Sequence, residues 1–181
     1  MNTITISQNF SLRKVTASGV CIALCLLLPF LTGQIPQIGS MLSPMHIPVL
    51  ICGLACGWPY GLIAGLIAPI LRDLLFGMPP LFPTATAMAF ELAAYGAMSG
   101  LLHKLLPKKV IFLYISLVGA MLFGRIIWGI ATLILLGISG GTFTFSAFLA
   151  GAFTNAIPGI ICHILLIPPI VLGLRKAHLT D

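Results

Sequence analysis

Long apolar runs, separated by short turn-rich segments, occupy almost the whole chain and constrain its fold more than any other feature. Charged residues make up 7% of the 181 residues, whereas a soluble domain carries about 25%. A water-soluble fold could not cover its surface with so few charges. Since each membrane-spanning helix needs roughly 20 apolar residues, we predict an all-α bundle of six transmembrane helices that forms one domain over residues 1–181.

The turns divide the chain into six predicted spans. They cover about 15–32, 46–57, 62–76, 84–103, 110–137 and 145–174. The residues Trp58-Pro59-Tyr60-Gly61 are predicted to interrupt the chain between the second and third spans. We expect the sixth span to be kinked or split, because it contains Pro158 and the pair Pro168-Pro169.

The basic residues lie at the ends of the apolar runs and predict the orientation. Seven of the nine fall on one side of the predicted bundle: Arg13, Lys14, Lys104, Lys108, Lys109, Arg175 and Lys176. The turns at about 33–45, 77–83 and 138–144 contain none. This asymmetry predicts a multi-pass protein of the bacterial plasma membrane with both termini in the cytoplasm. The net charge of +6 is therefore a topology signal, and it does not indicate nucleic-acid binding.

Several polar side chains interrupt the apolar spans at similar predicted depths near the outer side. Ionisable groups in such positions are costly and are functional candidates by default. The candidates are His46, Arg72, Glu91, Arg125 and Asn155, joined by Tyr95, which shares a helix face with Glu91, and Trp128, which shares one with Arg125. We predict that these seven residues line a pocket open to the exterior. The alternative is an internal ion pair, of Glu91 with Arg125 or Arg72, that only stabilises the bundle.

Other polar residues favour packing roles. His163 lies deeper, and we expect it to form a hydrogen bond between helices. The five cysteines lie inside apolar stretches and are predicted to be buried without binding metal. Gly19 and Ala23 are four residues apart, so another helix could approach the first span closely. No cofactor is indicated, and the chain carries no nucleotide-binding motif. Uphill transport would therefore need a partner or an ion gradient.

Five groups of residues, taken in order, resemble one known family. They are Arg13-Lys14 with Gly19 and Ala23; Pro44 to Val49 with Gly53 and Gly57 to Gly61; Gly77 to Pro80 with Met88 to Glu91; Gly124 to Gly129; and Ala156 to Gly159. Together they resemble the substrate-binding S component of energy-coupling factor (ECF) vitamin transporters. Within that family, the chain is most similar to the pantothenate-type branch.

The resemblance implies a high-affinity vitamin-binding subunit with six helices and no enzymatic activity. The pocket would lie near the outer face, gated by the segments at about 33–45, 77–83 and 138–144. A transmembrane coupling subunit would dock on Gly19 and Ala23, where Gly19 replaces the alanine usual in the family. Two ATPase subunits would supply the energy, and the S component would topple in the bilayer to deliver its substrate.

The identity of the vitamin stays open at this stage. A pantothenate carboxylate would favour Arg72 or Arg125 as its partner, with Glu91 accepting a hydrogen bond from the ligand or orienting the arginine. A ligand with an amine would instead favour Glu91, and vitamin B6 and riboflavin are alternatives. Three other functions compete: a self-sufficient secondary transporter, for which no inverted repeat is found; an intramembrane enzyme using His46 and Glu91; and a purely structural subunit.

Overall fold

The computed structural model describes residues 12–31, 35, 39 and 41–177. It confirms the all-α class. Seven α-helices are seen in this part of the chain: α1 Leu12–Leu31, α2 His46–Cys56, α3 Trp58–Phe76, α4 Thr86–Leu105, α5 Val110–Ile138, α6 Phe145–Leu149 and α7 Ile157–Lys176. The segment Leu81–Ala85, which is kinked at Phe82 with a φ of −119° and a ψ of 133°, precedes α4, and a π-helical turn, Ala150–Thr154, follows α6.

Five stretches of the described chain are long and apolar enough to cross a membrane. They are Leu12–Leu31, Trp58–Phe76, Leu81–Leu105, Val110–Ile138 and Phe145–Lys176. The second span is too short to cross the membrane as a helix alone, as its predicted length already indicated. Helix α2 has 11 residues and covers roughly 16 Å of a hydrocarbon core of about 30 Å. Non-helical backbone is tolerated at membrane depth where protein buries it. The buried residues Ser43 and Met45 before α2 meet this condition.

One predicted boundary was wrong. The break between the second and third spans is Gly57 alone, whose φ of 106° few other residues adopt. Trp58 already belongs to α3, because Pro59 fits the first turn of a helix, where its missing N–H costs nothing. The predicted split of the last span is confirmed just before α7, close to Pro158. Pro168 and Pro169, the other prolines of this span, lie inside the continuous helix α7.

Glycines allow the central helices to touch backbone to backbone. Helix α4 packs against α2, α3 and α5. A Cβ added to Gly96 in α4 would lie 2.1 Å from the carbonyl oxygen of Gly61 in α3, and one added to Gly53 in α2 would lie 2.3 Å from the carbonyl oxygen of Gly96. Small residues are the usual means of close helix approach in membranes. This contact fixes α4, and with it the side chains that α4 contributes to the site.

Several basic residues lie together at one end of the bundle. Arg175, near the end of α7, donates to the carbonyl oxygen of Lys108 at 3.4 Å and to the ring of His103 at the end of α4. The start of α3 lies at the same end, because a Cβ on Gly100 would meet the backbone nitrogen of Trp58 at 2.4 Å. The opposite end of the bundle carries the large cavity.

Candidate functional site

A cavity of about 560 Å³ lies among the helices, at the end of the bundle opposite Lys108 and Arg175. Its wall comes from the helices α1 to α5, the segments before α2 and before α4, and the chain between α6 and α7. The lining residues include Pro29, Ile35, Gly39, Ser43, Pro44, Met45, His46, Arg72, Met78, Pro79, Pro80, Thr84, Met88, Glu91, Arg125, Trp128, Gly151 and Asn155. Six of the seven predicted site residues are among them, and Tyr95 is not.

An ion pair lies in the cavity wall. Nη1 of Arg125 on α5 lies 2.9 Å from Oε1 of Glu91 on α4, and the Glu91 and Arg125 side chains are 2% and 11% exposed. Of the two internal pairs considered from the sequence, the structure forms the one between Glu91 and Arg125. Because both residues also line the cavity, the pair is at once a contact between helices and part of the site.

His46 extends this polar cluster. Its Nε2 lies 3.6 Å from Oε1 of Glu91, and the residue is buried. Neither ring nitrogen of His46 has a hydrogen-bond partner among the described residues. Buried polar atoms without partners are uncommon, so both nitrogens are available for a hydrogen bond with a ligand. The cluster can therefore offer a ligand both donors and acceptors.

Arg72 on α3 contributes a second positive charge to the wall. Its Nη1 donates to the carbonyl oxygen of Leu26 in α1 at 2.7 Å. The guanidinium lies 5.3 Å from the ring centroid of Phe30 and 5.5 Å from that of Phe76, within the range of cation–π attraction. Among the described residues no carboxylate forms an ion pair with Arg72, although the residue is buried. A buried cation without an anionic partner is a natural site for an anionic ligand group.

Tyr95 lies behind the wall. Its ring meets that of His46 edge to face, with centroids 5.1 Å apart, and the residue is buried. A Cβ on Gly124 would lie 2.1 Å from Cδ1 of Tyr95, so the glycine makes room for the ring. Tyr95 therefore supports the site from behind, beside His46, and is not part of the cavity surface.

Trp128 and Asn155 close the side of the cavity formed by α5 and the π-helical turn after α6. The Trp128 ring contacts Phe143 and Phe148, with centroids 5.8 and 6.3 Å away. The predicted gating segment at 138–144 does not itself line the cavity, and its Phe143 packs against Trp128 instead. Asn155 is exposed and lines the cavity directly after the turn.

His163 is a neighbour of the site that was not predicted from the sequence. Its ring stacks on that of His46 with centroids 6.0 Å apart, and its Nε2 lies 3.4 Å from the carbonyl oxygen of Ser43. A hydrogen bond was expected, but to another helix, whereas the partner belongs to the segment before α2. Ser43, Thr84 and Met88 also line the cavity. Thr84 and Met88 precede Glu91 at helical spacing, a signal that could have found them, whereas no charge or periodicity marks Ser43.

Gly19 and Ala23 lie on the outward face of α1, away from the bundle. Both are exposed, and a Cβ on Gly19 would meet no atom within 4 Å. The opposite face of α1 buries Cys21, Cys25 and Pro29. Four of the five cysteines are buried, and among the described residues no cluster of three or more His, Cys, Asp or Glu side chains could hold a metal ion.

The family model for the substrate-specific component of ECF transporters matches residues 13–171. The chain belongs to this family. The S component is thus a substrate-binding subunit of a membrane transport complex, and not an enzyme. The expected resemblance is confirmed at this level. No curated protein and no solved structure matches the chain.

Proposed function

We propose that this S component binds a small carboxylate-bearing vitamin of the pantothenate type in the cavity. The main support for this proposal is the environment of Arg72. It is a buried cation in the cavity wall, and its guanidinium has no carboxylate partner among the described residues. The positive charge of Arg125 is already balanced by Glu91. One ligand carboxylate would therefore leave the site electrically neutral if both histidines are uncharged.

The other end of the ligand would meet the cluster of His46, Glu91 and Arg125. Pantothenate combines a carboxylate with hydroxyl and amide groups, which can donate to Glu91 and exchange hydrogen bonds with the His46 ring. Apolar and aromatic wall residues, with Trp128 the largest, would cover the carbon skeleton between these polar ends. A few placed polar groups in a mostly apolar wall are the usual composition of a ligand pocket.

The proposal includes the orientation and partners of the S component. The basic end of the bundle would face the cytoplasm, which puts the cavity on the outer side and both termini inside. The exposed small residues Gly19 and Ala23 would let the coupling subunit approach α1 closely. Two ATPase subunits would then drive release, with the S component toppling to carry its cavity across the bilayer.

Binding of labelled pantothenate to the purified protein tests this function, with Arg72→Met as the decisive variant. Loss of a hydrogen bond to a charged group costs about 1.5–3 kcal/mol, which corresponds to affinity weaker by about 10- to 100-fold. The matched control is Asp73→Asn, which changes the charge of the next residue in α3. Equal affinities in the wild type and Arg72→Met would contradict the proposed site, and no pantothenate binding by the wild type would contradict the proposed ligand.

A further inference from the structure

A short segment that leads into α2, together with the first residue of that helix, supplies a large part of the cavity wall. We call residues 41–46 the entry strip; four of them, Ser43, Pro44, Met45 and His46, line the cavity. Ser43, Met45 and His46 are buried within the bundle. A shift of the entry strip would therefore move four wall residues at once.

Neighbouring helices hold the entry strip from two sides. On one side, the thiol of Cys25 in α1 donates to the carbonyl oxygen of Met45 at 3.4 Å. On the other, α7 approaches so closely that a Cβ on Gly159 would lie 2.5 Å from the carbonyl oxygen of Met41. From the same helix, one turn further on, the ring of His163 reaches the carbonyl oxygen of Ser43 at 3.4 Å.

Ser43 is the point of the entry strip that most needs such support. Its φ of 48° places it in the left-handed region, which non-glycine residues adopt only at a cost of about 1–3 kcal/mol. Its carbonyl oxygen also accepts from the backbone N–H of His46 at 3.0 Å. The conformation of Ser43 thus sets the direction in which α2 and the His46 side chain begin.

We propose that His163 is a positioning residue for the ligand site. Because a carbonyl oxygen can only accept, Nε2 of His163 carries the proton and donates to Ser43, which holds the strip in its left-handed turn. The same ring stacks at 20° on the ring of His46, which keeps His46 beside Glu91. His163 is not part of the cavity wall, so it acts on the ligand through the strip and His46. This link to ligand binding rests on the proposed function, whereas the effect on the strip does not.

The proposal is tested by separating the N–H donor from the ring. His163→Phe keeps a stacking ring but removes the donor, whereas His163→Gln places an amide N–H at nearly the same reach as Nε2. Cys162→Ala, at the preceding position of α7, is the matched control. Hydrogen exchange of the ligand-free protein, followed by mass spectrometry, reports the protection of the backbone amides of Ser43 and His46. The Ser43 amide donates to the carbonyl oxygen of Gly39, and the His46 amide donates to that of Ser43.

We expect His163→Phe to speed exchange of these two amides by about fivefold, since a net hydrogen bond contributes about 1 kcal/mol. Exchange in α4 should stay unchanged, and His163→Gln should restore most of the protection. Unchanged exchange in His163→Phe, or equal acceleration in the Phe and Gln variants, would overturn the proposal. If the Phe variant does not fold, His163→Met, which fills similar space without a donor, makes the same comparison.

Affinity for pantothenate is the second measurement on the same variants. It should fall in His163→Phe and recover in His163→Gln. A wild-type protein that does not bind pantothenate would contradict the proposed function alone, because the exchange result requires no ligand. Faster exchange in His163→Phe with unchanged affinity would overturn the positioning role.

Discussion

The buried pair of Glu91 and Arg125 is proposed both to stabilise the helix bundle and to bind the ligand, and a double substitution can separate these two roles. Arg125→Met removes the cation 2.9 Å from a carboxylate that is 2% exposed. Breaking a buried ion pair by removing one partner costs about 3–5 kcal/mol, because the remaining charge stays buried without compensation. We therefore expect the free energy of unfolding to fall by about that amount and ligand binding to be lost.

Adding Glu91→Gln to Arg125→Met removes the stranded charge. Replacing a whole buried pair by neutral residues is often close to neutral for stability, so the double variant should recover most of the lost free energy of unfolding. Ligand binding should not recover, since neither charged group is restored. Arg125→Ala should likewise abolish binding while the protein still inserts into the membrane.

The assay is reversible unfolding in mixed detergent micelles, followed by circular dichroism, with ligand affinity measured on the same preparations. The wild type, both single variants and the double variant form a complete cycle, which isolates the pairwise interaction. An Arg125→Met protein as stable as the wild type would refute the claim that Glu91 depends on this partner. Recovery of binding in the double variant would show that the pair is structural and does not contact the ligand.

Two further predictions concern glycines. Gly19→Leu should block uptake and leave ligand binding intact, because it widens the outward face of α1 proposed for docking. The control Gly137→Leu, at an equally open position of α5, should change neither uptake nor binding. Normal uptake by Gly19→Leu would remove Gly19 from the docking surface. Gly96→Ala should lower the free energy of unfolding by at least the roughly 1–3 kcal/mol typical of overpacking, since its Cβ would lie 2.1 Å from the carbonyl oxygen of Gly61. Gly173→Ala, with open space around it, is its control in the same unfolding assay, and equal stabilities would contradict the backbone contact.

The charged residues of the site could be predicted from the sequence, because they interrupt apolar helices. Arg72, Glu91 and Arg125 are conspicuous because charges inside membrane spans are expensive, and all three line the cavity. The helix bounds follow from the apolar runs to within about a turn, except where proline is compatible with a helix. Pro59 lies in the first turn of α3, so this helix begins at Trp58 and not at the predicted residue 62.

The rest of the site depends on backbone that has no periodic signal. From the sequence alone, His163 is indistinguishable from a packing residue. Its hydrogen-bond partner is a backbone carbonyl 120 positions earlier in the chain, which no sequence pattern indicates. The short second span, by contrast, was predicted at about 46–57, and the structure confirms it as α2, His46–Cys56. Tyr95 shares a helix face with Glu91, yet it lies behind His46, an arrangement that only the tertiary packing reveals.

Native mass spectrometry of the gently purified protein, after incubation with pantothenate, is the most direct test of the central claim that the cavity binds a small anionic vitamin. The account predicts a wild-type protein carrying one additional vitamin-sized mass that is released on activation. It also predicts that the Arg72→Met protein is largely empty under the same conditions. A wild-type protein that stays empty at saturating pantothenate, or an Arg72→Met protein that retains the ligand equally well, would contradict it.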